Sequence, residues 1–488
     1  MLTVPADSRY LDVFRDLVRR ISESGGLAEQ QVHRIETAVN EALTNAITHA
    51  YKPGSPGPVT LTAQLDGPRL RINVRDRGIP FDESLASVPP SNASASGSGL
   101  QRIRTLADKV VWNCLGPEGK ELHLEFDLDH TLSVAREKSP PKISEDHDTA
   151  PAASPTYTIR RFRPEDGIGV ARCAYDAYGY SYPSPELYTP RRLAELNENG
   201  FFISMVAVSD QTREVVGHCS IQRYYIGGTV EVGQAVVKPS HRGASLAGLI
   251  FKGLVKEAVK EGVCSMVDHE VSSHPASQIL ASRAGFSPCA LALGAMPAAL
   301  DFKGLSGAVS QRESCVVSMK LLTRPDPSVL CAPSHHREML ETIYSAMDKP
   351  VTFKTAPPSS GPAKVTIQMN RGWNIADIQV KRIGHNALAD IRRCLQNLLE
   401  IGQVDVVYLE LPLDQGDTSD VCRGAEEDGF FFTGLGPSSV TVGGESLFLQ
   451  YLNTQLDLSL LQIATPLGRT IFDYVSRERQ RLMKSSIK

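Results

Sequence analysis

Residues 131–156 read TLSVAREKSPPKISEDHDTAPAASPT, with four prolines, many small or charged residues and almost nothing to bury. Such a stretch cannot take part in a packed core and reads as a disordered linker. It divides the 488 residues into two parts that must each fill a core of their own. At roughly 150 residues per domain the whole chain makes about three units. After the linker, an alternation of strands and helices runs to about residue 325 and restarts at 326. The expected units are therefore 1–130, 157–325 and 326–488, all mixed α/β.

Composition narrows the function classes. Apolar residues make up 41% and charged residues 22%, and 51 Lys+Arg against 55 Asp+Glu leave a net charge of −4. That balance removes the general electrostatic case for coating nucleic acid. No apolar run approaches the ~20 residues that span a bilayer, so no membrane partner is expected. The N-terminal MLTVPADSRYLDVFRD lacks the basic-then-apolar order of a signal peptide. Nine scattered cysteines, without a CxxC pair or a zinc-spaced cluster, fit reduced thiols and a cytoplasmic location.

In the first unit, helical spacing over 8–23 and 28–50 predicts two helices, and period-two alternation in VTLTAQLD, RLRINVRD and ELHLEFDL predicts strands. A third helix opens near residue 98. The second helix places Glu41, Asn45 and His49 four residues apart, on one face. An amide oxygen is a hard, neutral ligand for Mg²⁺, and a carboxylate one turn away can accept a proton from an attacking hydroxyl. A solvated polar stripe is the plainer alternative for this trio, and a hydrogen-bonded helix end the plainer one for His49. RLRINVRD runs into Asp76-Arg77-Gly78-Ile79-Pro80-Phe81-Asp82. There Asp76 can accept a hydrogen bond from an exocyclic amine, and Gly78 lets backbone approach a flat ring. Gly97-Ser98-Gly99-Leu100-Gln101-Arg102-Ile103 opens a helix whose free N–H groups favour phosphate. Between them, residues 83–96 are small and polar, as a lid over phosphates should be. Arg77 and Arg102 either touch phosphate or face solvent.

Together and in this order, these segments resemble the Bergerat-type ATP-binding fold, an α/β sandwich, and among its members the anti-sigma-factor serine kinases. Asn40 to Tyr51 is similar to their N-box. Asp76 to Asp82 is similar to their G1 box, and Gly97 to Ile103, with Leu106 and Asp108, to their G2 box. The resemblance implies Glu41 as general base, Asn45 as Mg²⁺ ligand, and Asp76, Gly78, Gly97, Gly99 and Leu100 around ATP. It also implies a partner of the anti-sigma-antagonist type or a sigma factor, and a homodimer.

In the second unit, the strand VEVGQAVVKP leads into Ser240-His241-Arg242-Gly243-Ala244-Ser245-Leu246-Ala247 and then a helix, an arrangement that cradles pyrophosphate. With HPASQILASRAGF at 274–286 it resembles the GNAT N-acetyltransferases. That implies acetyl-CoA on Arg242, Gly243, Ala244, Ser245 and Ala247. Ser245 replaces an expected Gly, and Ala281 stands where many members carry a proton-donating Tyr. Glu231 either deprotonates an amine or faces solvent. The third unit resembles a degenerate second copy, since its corresponding stretch, RIGHNALADIRR, offers only Gly384. Residues 355–363 read as a long loop, Phe430 to Phe432 as a buried strand, and 466–484 as a basic helix with a solvated face.

The function expected is an ATP-dependent serine/threonine kinase acting on an antagonist-like protein, fused to an acyl-CoA-binding region. The alternatives are an acyltransferase regulated by ATP and a non-catalytic module that exchanges partners when ATP binds.

Overall fold

A computed structural model of the chain describes residues 1–24, 26–52, 56–66, 69–82, 98–128, 156–225, 227–243, 245–298, 311–324, 326–357, 359–439 and 444–485. The linker apart from Thr156, the lid at 83–96, Gly97 and Ala244 lie outside the described residues.

The first unit contains β1 (Leu2–Pro5), α1 (Leu11–Ser24), α2 (Glu29–His49), β2 (Pro58–Asp66), β3 (Arg69–Asp76), α3 (Ser98–Leu106), β4 (Lys109–Cys114) and β5 (Lys120–Asp127). The strands form an antiparallel sheet in the order β1-β2-β3-β5-β4. Alternate residues of β3 are buried, as a sheet with one covered face requires. Leu70, Ile72 and Val74 meet Phe14 and Val18 of α1, Ile35, Val39 and Leu43 of α2, and Ile103 of α3. The expected order lacked β1 and β4. Both are short, and neither carries a long enough alternation to announce itself.

The second unit contains β6 (Tyr157–Arg161), α4 (Gly167–Tyr178), α5 (Pro190–Glu198), β7 (Phe202–Ser209), β8 (Val215–Gln222), β9 (Thr229–Val237), α6 (Leu246–Lys260), β10 (Ser265–Val271), α7 (Ala276–Arg283), β11 (Ser287–Met296) and β12 (Glu313–Leu321). The third adds β13 (Ser328–Leu330), α8 (Arg337–Ala346), β14 (Val351–Phe353), β15 (Lys364–Asn370), β16 (Ile375–Arg382), α9 (Ala387–Glu400), β17 (Val406–Pro412), α10 (Thr418–Glu427), β18 (Phe431–Pro437), β19 (Glu445–Leu452) and α11 (Pro466–Ser485).

These two units share one sheet, ordered β15-β16-β17-β19-β18-β11-β12-β10-β9-β8-β7-β6. In each half a single parallel pair (β9/β10 and β16/β17) is crossed by a helix, and the last two strands return antiparallel. The halves join at β11 and β18, where Ala290 faces Gly434. Gly434 has φ +146°, and a Cβ there would lie 2.4 Å from the Cα of Ala290, so only glycine allows this approach. The fully buried amide of Gln450 reinforces the join: its Oε1 accepts from Leu293 N at 3.1 Å and its Nε2 donates to Leu293 O. Phe430 and Phe432 are fully buried, as expected. The terminal helix is a correction: Ile471 and Val475 of α11 sit in the shared core, so one of its faces is packed rather than solvated.

Candidate functional site

Helix α2 buries Ala38, Val39, Ala42, Leu43 and Ala46, and that packing fixes where its polar face points. Glu41 and Asn45 lie under the N-terminal turn of α3. A Cβ on Gly99 would meet Glu41 Oε2 at 3.2 Å and Asn45 at 3.4 Å, so a larger residue here would press on both side chains. Arg102, one turn into α3, donates from Nη1 to Glu41 Oε1 at 2.8 Å. The side chain stays more than half exposed, yet its guanidinium occupies an oxygen of the carboxylate. Among the described residues, Asn45 Nδ2 is buried without a hydrogen-bond partner. Leaving such a donor unpaired costs ~1–3 kcal/mol, which makes the position fit a polar ligand. His49, the last residue of α2, is exposed.

Asp76 closes β3 and is buried. Its Oδ1 accepts from Gly78 N at 2.9 Å and from Lys120 Nζ at 2.6 Å, and Lys120 also donates to Ile79 O at 2.8 Å. Among the described residues no hydrogen bond ends on Oδ2. Lys120 is absent from the sequence-based site, although it stands directly opposite Asp76 in the β3/β5 register. Gly78 packs onto the end of α2, where a Cβ would lie 2.0 Å from Ala50 O, and Ile79 N donates to Ala50 O at 2.7 Å. Tyr51 completes the junction, accepting from Arg77 N at 2.8 Å and donating to Pro58 O at 2.6 Å. Arg77 donates from Nη2 to Pro117 O at 3.0 Å. Leu100 is partly exposed beside Gly99.

The second unit holds the other expected site. β9 and β10 pair only from Ser265 to Asp268 and then part, while Gln234 adopts φ +56° beside an irregularity in the β8/β9 register. Past the end of β9, Arg242 and Gly243 (φ +89°) lead to Ser245 and α6. Cβ atoms at Gly243 or Gly248 would meet nothing within 4 Å, so the backbone here faces open space. Ser245 sits at φ +55°, the left-handed region that favours glycine, and its side chain does not cap α6. Ala281 is buried in the α6 core, so no hydroxyl stands there. Burial, with the Arg242 guanidinium nearby, holds His274 below its usual pKa.

Glu231 does not simply face solvent. Its Oε1 lies 3.3 Å from His269 Nδ1, an ion-pair distance without hydrogen-bond alignment. Burial opposes charging of His269, but the Glu231 carboxylate outweighs it and holds the imidazole above its usual pKa. Burial pushes Asp268 up to about 7 and Glu270 well above the carboxylate range. Such shifts concentrate at working sites. This cluster escaped the sequence reading because SMVDHEV breaks the apolar pattern of a buried strand.

In the third unit the space around Gly384 is filled. A Cβ on Gly384 would lie 2.4 Å from Ala363 N and 2.5 Å from Gly361 O, and Asn386 Oδ1 accepts from Ala363 N at 2.8 Å. Residues 361–363, the end of the loop expected at 355–363, thus pack directly onto Gly384 and Asn386. Among the described residues no helix is long and apolar enough to cross a membrane.

Comparison with known proteins finds two families. Residues 4–126 match the histidine kinase-like ATPase domain family, and residues 169–286 match the acetyltransferase (GNAT) family. The serine-protein kinase RsbW of Halalkalibacterium halodurans is 37% identical over 118 residues, covering 22% of this chain and 72% of that protein. The serine-protein kinase RsbW of Bacillus subtilis is 31% identical over 118 residues, covering 22% and 74%. Among solved structures, the ribosomal-protein-S18-alanine N-acetyltransferase of Escherichia coli aligns with a TM-score of 0.29 at 15% identity, over 35% of this chain and 97% of that one. The two resemblances carried by the motifs are the two families matched.

Proposed function

The chain belongs, through residues 4–126, to the histidine kinase-like ATPase family of the serine-protein kinases RsbW, and from that premise we propose that it is an ATP-dependent protein serine/threonine kinase. Its substrate is a Ser or Thr on a small protein of the anti-sigma-antagonist type, and a sigma factor is the second partner. The observation that carries this reading is the buried Nδ2 of Asn45, unpartnered among the described residues, one helical turn from Glu41 and beneath the start of α3.

Asn45 would hold Mg²⁺ through Oδ1, and a divalent cation there supplies charge neutralisation to a phosphoryl group in transfer. Asp76 uses Oδ1 to fix its own loop and keeps Oδ2 for the exocyclic amine of adenine. The N-terminal turn of α3 offers backbone N–H groups and the positive end of its dipole to the phosphates. Glu41 accepts the proton of the attacking hydroxyl. The Arg102 bond to Glu41 must open first, and an anionic nucleotide competes for the same guanidinium. Arg102 therefore guards the base until the nucleotide arrives.

The second unit is an acetyltransferase-type domain that binds acyl-CoA on Arg242 to Ala247. Ser245 and Ala281 weigh against efficient transfer. We read the third unit, 326–488, as a degenerate copy in which residues 361–363 fill the space around Gly384.

The test is transfer of radiolabelled phosphate from ATP to candidate antagonist proteins. Glu41→Gln should lose roughly 10²–10⁴-fold in rate while Mg·ATP binding stays within a few-fold. Labelling at the wild-type rate by this variant would falsify the assignment of the base.

A further inference from the structure

The loop behind Asp76 is held from two sides, and one of them belongs to the acetyltransferase unit. Tyr180 donates its hydroxyl to Gly78 O at 2.8 Å, and Arg172 Nε of α4 donates to Pro80 O at 3.1 Å. Gly78 is thereby fixed at its N–H by Asp76, at its carbonyl by Tyr180, and at its Cα by the end of α2. Tyr180 is itself immobilised, with ring centroids 5.0 Å from both Tyr175 and Tyr188. One turn beyond Arg172 on α4, Asp176 accepts from Lys52 Nζ at 2.8 Å and lies 3.7 Å from Lys238 Nζ. Lys52 follows the helix that carries Glu41 and Asn45; Lys238 follows the strand that leads to Arg242. Further contacts flank the junction: Cys114 Sγ lies 3.3 Å from Tyr188 O, and a Cβ on Gly116 would meet Thr189 Oγ1 at 2.9 Å.

We propose that the acetyltransferase unit supplies positioning residues to the nucleotide site: Arg172 and Tyr180 hold residues 78–80 in register behind Asp76, while Asp176 ties α2 to the approach of the acyl-CoA loop. This rests on the kinase reading above and adds the regulation of that site. A surface ion pair such as Lys52–Asp176 contributes little energy alone. The bonds to Gly78 O and Pro80 O act on geometry, since displacing the Gly78 backbone moves the carboxylate that its N–H orients. The coupling is reciprocal: a nucleotide that tightens this loop favours the docked arrangement by the same factor by which docking favours the nucleotide.

The experiment is Mg·ATP titration of the full chain by calorimetry, with amide hydrogen exchange as a second readout. Tyr180→Phe with Arg172→Ala should weaken binding about 5- to 50-fold at unchanged stoichiometry, and Arg172→Lys, which keeps a donor, should recover much of the loss. Tyr180→Phe retains the ring and its packing, so each single variant serves should the double variant fold poorly. Mg·ATP should slow exchange in α4 of the wild type and not in the double variant. Wild-type binding with the variants within twofold, or wild-type binding that leaves α4 exchange unchanged, overturns the inference and leaves the kinase reading standing. A wild type that does not bind Mg·ATP removes both.

Discussion

Asp76 and Lys120 form a buried ion pair in which each partner answers the other's charge, with side chains only 5% and 18% exposed. Lys120→Met strands a carboxylate in the interior and should cost about 3 kcal/mol, read as a lower thermal midpoint. The pair variant Asp76→Asn with Lys120→Met should regain most of that stability but not nucleotide affinity, since Asn offers a different pattern to an exocyclic amine. Asp76, Glu41 and Asn45 were legible because each belongs to a local segment with its own spacing. Lys120 was not, because it arrives across the sheet; only the charge alternation of β3 against β5 (Arg71 facing Glu125, Arg75 facing Glu121, Asp76 facing Lys120) hinted at it. A pH prediction belongs at this scale too. Asp268 is raised by burial to about 7, so the fold favours its protonated form. That contribution is full below about pH 4 and is lost as pH rises through about 7, with His269 and Glu231 as its charged neighbours and Glu270 beside it held protonated by burial. Asp268→Asn should flatten the fall in stability between about pH 4 and 7 in denaturant titrations.

Helix α6 starts from a residue in the wrong conformation for its type. Ser245→Gly removes a Cβ from a left-handed position and should stabilise the second unit by about 0.5–1 kcal/mol, raising the thermal midpoint by a few degrees at most. An unchanged or lower midpoint would mean that the backbone there is not under strain. The substitution of Gly by Ser was visible in the motif, and the structure supplies its physical meaning. Other elements were hidden for identifiable reasons. β10 carries Asp268, His269 and Glu270 where a buried strand should be apolar, and β1 is four residues long. α11 read as a basic surface helix because Arg469, Arg477, Arg479 and Arg481 dominate its composition, while Ile471 and Val475 occupy its inner face. Polar contacts hold the same helix: Glu478 accepts from Arg481 at 2.7 Å and lies 2.9 Å from His335 Nε2, and Tyr474 shares a 2.8 Å hydrogen bond with His336.

The back two-thirds of the chain shares one twelve-stranded sheet, and a core running from Val267 through Val316 and Leu409 to Val475 crosses its join, beside separate cores in the second unit. Residues 156–488 should accordingly unfold in one cooperative transition in denaturant. Gly434→Val, which drives a side chain into Ala290, should cost more than about 3 kcal/mol and split or lower that transition. The alternation of strands and helices on both sides of 326 was readable, and the order β9-β10-β12-β11 has a counterpart in β16-β17-β19-β18. The join between halves was not, since it depends on one close approach at Ala290 and Gly434 and on the amide of Gln450. At the other junction, Arg172 and Tyr180 take hold of peptide carbonyls and ignore the side chains of the loop they grip. A grip of that kind cannot read spelling, only trace. The side chain of Ile79 can thus be rewritten without loosening that grip, whereas Arg77, bonded to Pro117 O, and Phe81, stacked on Trp112, answer to partners inside their own unit.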